Sequence, residues 1–298
     1  MHKHNHHHSD SSGRIALAFF LNVSFTVIEF IGGLLTNSTA IMADAVHDLG
    51  DSLSIGSAWV LSKLSEKSAT KEFSFGYRRL SLLGALINGL VLLLGSAWVL
   101  KEAIPRLQDP VMPHAEGMLG LAVLGVVVNG FAAYRLGAGK TLNERVLSWH
   151  LMEDVLGWVA VLVVALVLQF VDWPILDPLL SIGFTLFILS HVFRNLWVTG
   201  KLFVQATPDL ALIGEIESAL LAVEGVGEIH RLHLWSLDGE HHVLTAHAVL
   251  QQAEDVRGIE RIKRRLAEVL SQYSLEHTTI EIEFPMEECR DQTGNQDA

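Results

Sequence analysis

The sequence predicts a membrane α-helical protein: six transmembrane helices followed by a small cytoplasmic α+β domain. Three observations carry this. Half of the 298 residues are hydrophobic and 18% are charged, where soluble chains carry about a quarter. The apolar residues stand in long blocks: from Arg14 to Lys63, enough helix to cross a bilayer twice, the only full charges are Glu29, Asp44, Asp48 and Asp51. From Pro208 onward the pattern becomes that of a soluble domain.

The same arithmetic excludes other classes. With 33 Asp+Glu against 21 Lys+Arg, the net charge of −12 does not suit a nucleic-acid binder, and one cysteine cannot staple a secreted module. The count that stands out is 15 histidines, because imidazole is the commonest metal ligand and titrates near neutrality.

In chain order, residues 1–13 form a histidine-rich tail. It has no apolar run ahead of a small-residue cleavage site, so we do not read it as a signal peptide. Residues 14–205 hold six apolar spans, at 15–35, 39–61, 80–100, 117–136, 146–171 and 174–204. Each is near or above the ~20 residues a helix needs to cross the hydrocarbon core. Six crossings put both termini on one side. Arg14, Lys63, Lys67, Lys71, Arg78, Arg79, Arg135, Lys140, Arg145 and Lys201 flank that side, whereas Lys101 and Arg106 on the other are diluted by Glu102 and Asp109. Positive charge stays inside, so both termini are expected in the cytoplasm.

Residues 206–286 read as the soluble domain, and most of the negative charge falls after Pro208, with 18 acidic against 7 basic residues. Its periodicities give a helix at 210–223, a strand at 229–235, a turn at Asp238-Gly239, a strand at 242–250, a helix at 252–273 and a strand at 278–284. That order suits a small open sheet covered by helices on one face. Residues 287–298 are expected to be a disordered tail.

Ionisable groups at bilayer depth are costly and mark pathways or sites. In the second span Asp44, His47, Asp48 and Asp51 fall within about a 100° stripe of one helix. In the fifth span His150 and Asp154 are one turn apart, and Gly157 continues their face with room for a close helix approach. If the two faces oppose each other, His47, Asp51, His150 and Asp154 supply two imidazoles and two carboxylates, a set that tetrahedral Zn²⁺ takes. Histidines on two helices also suit a haem, and a histidine–carboxylate chain suits a proton relay without metal. Haem, however, leaves both carboxylates idle. Asp44 and Asp48 read as pathway residues beside this site, Asp48 equally as a buried hydrogen-bond acceptor, and His191 reads as a packing residue.

The stretch Ala43-Asp44-Ala45-Val46-His47-Asp48-Leu49-Gly50-Asp51, then Phe75-Gly76-Tyr77-Arg78-Arg79 leading to Asn88, then His150-x-x-x-Asp154-x-x-Gly157 together resemble the cation diffusion facilitator family of divalent-metal transporters. The resemblance continues through His230-x-x-His233-Leu234-Trp235, Leu244-Thr245-Ala246-His247, and Thr278-Thr279-Ile280 ahead of Glu283. It implies a six-helix membrane domain and a ferredoxin-like cytoplasmic domain, assembled as a homodimer in a lipid bilayer, the bacterial inner (plasma) membrane. It further implies efflux of Zn²⁺, with Cd²⁺ or Co²⁺, in exchange for H⁺. His-Asp in both spans is the zinc-preferring version, and relatives with Asp at the first position more often take iron, manganese or cadmium. The chain departs from the family at Ser81, where a glutamate is usual, and at Glu153, where relatives are neutral. The latter reads as a charge at the cytoplasmic helix end or as a proton carrier. The histidine-rich loop many relatives carry between spans four and five is reduced to residues 137–141.

The expected activity is secondary transport and not an enzymatic reaction, since no His-Glu-x-x-His helix is present. Zn²⁺ needs neutral imidazoles, so protons and metal compete for the same nitrogens, and that competition supplies the coupling. A metal-gated channel, a metal-sensing receptor, or an antiporter of Mn²⁺, Fe²⁺ or Co²⁺ takes the same residues. In the soluble domain His247, Glu281 and Glu283 lie opposite the apolar faces of their strands, and a regular strand puts His230 and His233 on opposite faces. The resemblance selects His230 with His247 and Glu283 as a regulatory metal site, parity alone selects His233, and a kink at the strand start reconciles the two. The same residues also suit a plain solvent-facing surface. His2, His4, His6, His7 and His8 suit metal capture better than a purification tag, given the interruptions at Lys3 and Asn5. Cys289, beside Glu287 and Glu288, is a lone candidate for a soft metal.

Overall fold

The computed structural model of the chain describes residues 7–65, 69–137 and 142–289. The six apolar blocks become long helices: α1 (His7–Thr36), α2 (Thr39–Ser65), α3 (Leu80–Ala103), α4 (Ala115–Gly137), α5 (Leu142–Phe170) and α6 (Leu176–Phe203). α1 starts eight residues before its apolar span, because Ser9 to Gly13 continue the helix. Among the described residues, α1, α3, α4, α5 and α6 contain stretches long and apolar enough to cross a membrane. α2 is equally long, but Asp44, Asp48 and Asp51 interrupt its apolar run. Leu34, Leu94, Leu156 and Phe187 point outward, an arrangement that a lipid-facing surface rewards and water penalises.

Between the helices a core gathers Phe25, Ile41, Met118, Trp158 and Ala165. Trp158 of α5 is fully buried, edge-on to Phe25 at 5.4 Å, and lies against Gly125 of α4, where a side chain would collide with the indole. The start of α2 is held by Asp177 at the start of α6. Its carboxylate accepts from Thr39 N at 2.7 Å, Thr39 Oγ1 at 2.8 Å, Ser38 Oγ at 2.5 Å and Ala40 N at 3.3 Å. An α-helix leaves its first N–H groups unpaired, so Asp177, together with Ser38 Oγ accepting from Ile41 N at 3.2 Å, fixes where the site-bearing helix begins.

The second unit contains the described residues of 198–289 together with those of 64–82. It holds α7 (Leu210–Leu221), β1 (Val226–Ser236), β2 (His242–Leu250), α8 (Val256–Leu270) and β3 (Leu275–Glu283). β2 is central, antiparallel to β1 and parallel to β3. α8 is shorter than the 252–273 expected, because Asp255 caps it by accepting from Gly258 N at 2.8 Å. β3 begins three residues earlier than expected, its pairing with β2 starting at Leu275. Leu244, Ala246, Ala248 and Leu250 alternate along β2 and pack with Ile216, Leu220, Ile262 and Leu266 of the helices. The odd-numbered positions therefore face away from the helices.

The Phe75–Arg79 motif also packs within this unit. Gly76, at φ 69°, closes a turn by donating to Phe73 O at 3.0 Å, and Arg78 reaches His241 Nε2 at 3.0 Å and Glu276 at 3.3 Å. Ser81, in place of the family's glutamate, donates to Arg78 O at 2.8 Å.

Candidate metal centres

His47 and Asp51 stand one turn apart on α2, His150 and Asp154 one turn apart on α5, and the two faces meet. His150 Nε2 lies 2.9 Å from Asp51 Oδ2; His47 Nε2 lies 3.5 Å from Asp51 Oδ2 and 3.7 Å from Asp154 Oδ1. One ligand atom from each of the four residues fits within 4.8 Å of the others. They open onto a cleft of about 730 Å³ that Asn88, Phe184 and His191 also line. Gly157 lets α6 come close beside the site: a Cβ there would run into the Phe184 ring of α6, while it would stand in ordinary contact, 3.7 Å, from Asp44 Oδ1 of α2. His191 packs against Phe187 with the rings tilted and their centroids 4.8 Å apart, so it packs while also forming part of the cleft wall. Glu153 Oε2 is 4.0 Å from His150 Nδ1, with its side chain 73% exposed.

Asp44 and Asp48 do not join the tetrad. They form a separate buried group with Glu29 of α1, their carboxylate oxygens within 4.8 Å of one another. The stripe seen in the sequence is thus divided between two neighbours: α5 takes His47 and Asp51, and α1 takes the other two. Glu29 was visible in the sequence only as an isolated charge, since nothing local links it to positions fifteen and nineteen residues later.

In the second unit β1 bulges. His230 pairs with His247 and His233 with Thr245, three steps on one strand against two on the other, with Arg231 at φ 50°. The regular-strand expectation that His230 and His233 face opposite ways is therefore corrected: the extra residue turns both to the face opposite the helices. His230 alone of the pair enters the cluster. Its Nε2 is 2.8 Å from Glu283 Oε2, and His247 Nδ1 is 2.6 Å from Glu283 Oε1. Glu281 borders it, 3.8 Å from His247 Nε2, while His233 is exposed. Cys289, four residues beyond the next turn's Pro285, also belongs to the cluster. Burial pushes the Glu283 carboxyl up, but hydrogen bonds from His247, His230 and Cys289 outweigh it and hold it below the usual range. Of the N-terminal histidines, His2, His4 and His6 lie outside the described residues, and His7 and His8 are described by backbone alone, at the start of α1.

A bundle of apolar helices around a histidine–carboxylate cluster, followed by an α+β domain that carries another, defines an integral membrane protein built to handle metal ions. Residues 15–204 match the cation efflux transmembrane domain and residues 208–284 the cytoplasmic domain of cation efflux proteins; the chain belongs to the cation efflux, or cation diffusion facilitator, family of transporters. It is 32% identical to the cadmium, cobalt and zinc/H(+)-K(+) antiporter of Bacillus subtilis, over 94% of this chain and 91% of that one. It is 33% identical to the zinc transporter ZitB of Pectobacterium atrosepticum (95% and 89%) and 30% identical to the metal cation efflux system protein CzcD of Cupriavidus metallidurans (94% and 90%).

Proposed function

We propose that the protein exports Zn²⁺, and with it Cd²⁺ or Co²⁺, from the cytoplasm in exchange for protons, binding the ion at His47, Asp51, His150 and Asp154. The observation that carries this reading is the convergence of two imidazoles and two carboxylates from α2 and α5 within 4.8 Å, on the wall of an open cleft. Nitrogen and oxygen donors in that ratio suit Zn²⁺. The relatives named for zinc, cadmium and cobalt support the same cargo.

Coupling follows from the donor atoms. A protonated imidazole has no lone pair for metal, so arriving protons displace the ion and departing protons restore the site. Alternating exposure of this one site to the two sides then moves metal outward and protons inward. In this reading α2 is the sixth membrane-crossing helix, both termini are cytoplasmic, and the protein works as a homodimer in a bacterial inner membrane. Asp44 and Asp48 line the ion's path. His230, His247 and Glu283, bordered by Glu281, form a regulatory metal site, and the N-terminal histidines capture ions. Metal at the acidic soluble domains lowers their mutual repulsion and favours the dimer.

Proteoliposomes test it. An imposed pH gradient should drive uphill Zn²⁺ accumulation, and His47→Ala or Asp154→Ala should abolish it while leaving a folded dimer. Flux that dissipates a zinc gradient but ignores the pH gradient would indicate a channel and sink the antiport reading.

A further inference from the structure

The chain has one cysteine, and the fold delivers it to the soluble domain's cluster. Past Glu283 the chain reverses: Glu287 N donates to Phe284 O at 3.0 Å, the Glu287 carboxylate accepts from Phe284 N at 2.8 Å, and Met286 takes a φ of 67°. This turn carries the chain on past the expected domain end at Met286 and lays Cys289 against the polar face of the sheet. Its Sγ lies 3.5 Å from His247 Nδ1. Ligand atoms of His230, His247, Glu283 and Cys289 all fall within 4.8 Å of one another, with His247 and Glu283 buried.

Four donors at about 2.0–2.3 Å from a tetrahedral ion stand roughly 3.3–3.8 Å apart. The Cys289–His247 pair is already at that spacing. The 2.8 Å and 2.6 Å contacts of Glu283 with His230 and His247 are hydrogen bonds, which an ion would replace with release of their protons. Two histidines and a glutamate alone would leave a coordination position open, as in sites that turn substrate over. The thiol fills it.

We infer that Cys289 is the fourth ligand of this site, closing it as a two-histidine, one-carboxylate, one-thiolate centre for a soft or borderline divalent ion. The inference rests on the reading of His230, His247 and Glu283 as metal ligands. A thiolate selects Zn²⁺ and Cd²⁺ over Mn²⁺ or Mg²⁺, which prefer oxygen. A closed shell holds its ion as a sensor does, whereas the membrane tetrad, with no sulfur, must release its own.

Because Cys289 is the chain's only thiol, the full-length protein in detergent gives an unambiguous reading. Cd²⁺ or Co²⁺ should produce a thiolate-to-metal charge-transfer band in the wild type and none in Cys289→Ser. Zn²⁺ should slow alkylation of the wild-type thiol by N-ethylmaleimide at least about tenfold, the scale of effect expected for groups that support a bound metal. That protection should persist in His47→Ala and disappear in His230→Ala. No charge-transfer band, or alkylation equally fast with and without Zn²⁺, overturns the inference, and the wild-type measurement needs no variant to fold. Protection lost in His47→Ala but kept in His230→Ala also overturns it. Zinc flux in proteoliposomes made from the same protein reads the transport proposal separately, so either can fail alone.

Discussion

Asp51 Oδ2 lies 2.9 Å from His150 Nε2, joining α2 to α5 through a single carboxylate that also stands 3.5 Å from His47 Nε2. Asp51→Asn keeps the shape and removes the charge that both imidazoles share and that, in the proposed transport site, an incoming ion would share. Groups that merely orient metal ligands cost about 10–100-fold in affinity or activity when changed, and a direct ligand costs no less. Proton-driven Zn²⁺ flux should therefore drop by about 100-fold or more, with gel-filtration behaviour unchanged. A variant within tenfold of wild type would remove Asp51 from the site.

Glu153 stands beside His150 but is mostly exposed. An exposed ion pair is worth about 0–1 kcal/mol, so Glu153→Gln should change Zn²⁺ flux by no more than about fivefold. A larger loss, accompanied by a shift in the pH at half-maximal flux, would make Glu153 a proton carrier.

Asp177 tests whether the placement of the site depends on the α2 cap. Asp177→Ala strands the N–H groups of Thr39 and Ala40 and the hydroxyls of Ser38 and Thr39, all now satisfied by one buried carboxylate. Loss of a cap costs about 0.5–2 kcal/mol, and hydrogen bonds to a charged group are worth about 1.5–3 kcal/mol each. A destabilisation of roughly 3 kcal/mol follows, measurable by thermal unfolding in detergent. Equal melting of variant and wild type would refute it.

Much of this architecture is legible in the sequence because it rests on local periodicity. Apart from the early start of α1, the apolar blocks became helices within about four residues, and His-x-x-x-Asp occurring twice announced the tetrad, since spacing of four fixes a helix face. What the sequence hides is pairing at a distance. Glu29 meets Asp44 and Asp48 only because α1 packs against α2. The face of His230 is set by one extra residue in β1, which a period-two reading does not register. Cys289 reaches its cluster through a turn whose closing partner, Glu287, looks in sequence like any other acidic tail residue.

The β1–β2 turn gives a pH dependence with a defined sign. Burial pushes the Asp238 carboxyl up, but the backbone N–H groups of His241 and Glu240 and the His241 ring outweigh it and hold the carboxyl below its usual range. A carboxyl depressed on folding adds stability above its unfolded value, about 4, and loses it as pH falls through the lower folded value. Asp238→Asn should thus unfold at a lower temperature than wild type at pH 7. The gap should narrow below about pH 4 and close once Asp238 is protonated. A gap that stays constant down to pH 2 would disprove the linkage.

The bulge sets up the sharpest contrast. His230 and His233 share a face of β1, yet His230 lies 2.8 Å from Glu283 while His233 is exposed and paired with Thr245. Proximity in sequence and a common face do not bring both histidines into the cluster; contact with the buried Glu283 distinguishes His230. In a background with His47, Asp154, His2, His4, His6, His7 and His8 all changed to alanine, which silences the membrane tetrad and the proposed capture tail, calorimetric titration with Zn²⁺ reads the soluble domain. His230→Ala should weaken that binding at least about tenfold, because it deletes a donor and frees Glu283 from one of its two histidines. His233→Ala should leave it within about twofold, as for an exposed residue away from the cluster. Should His233→Ala cause the larger loss, the ion binds further along the strand than the bulge places it, and the assignment of His230 falls.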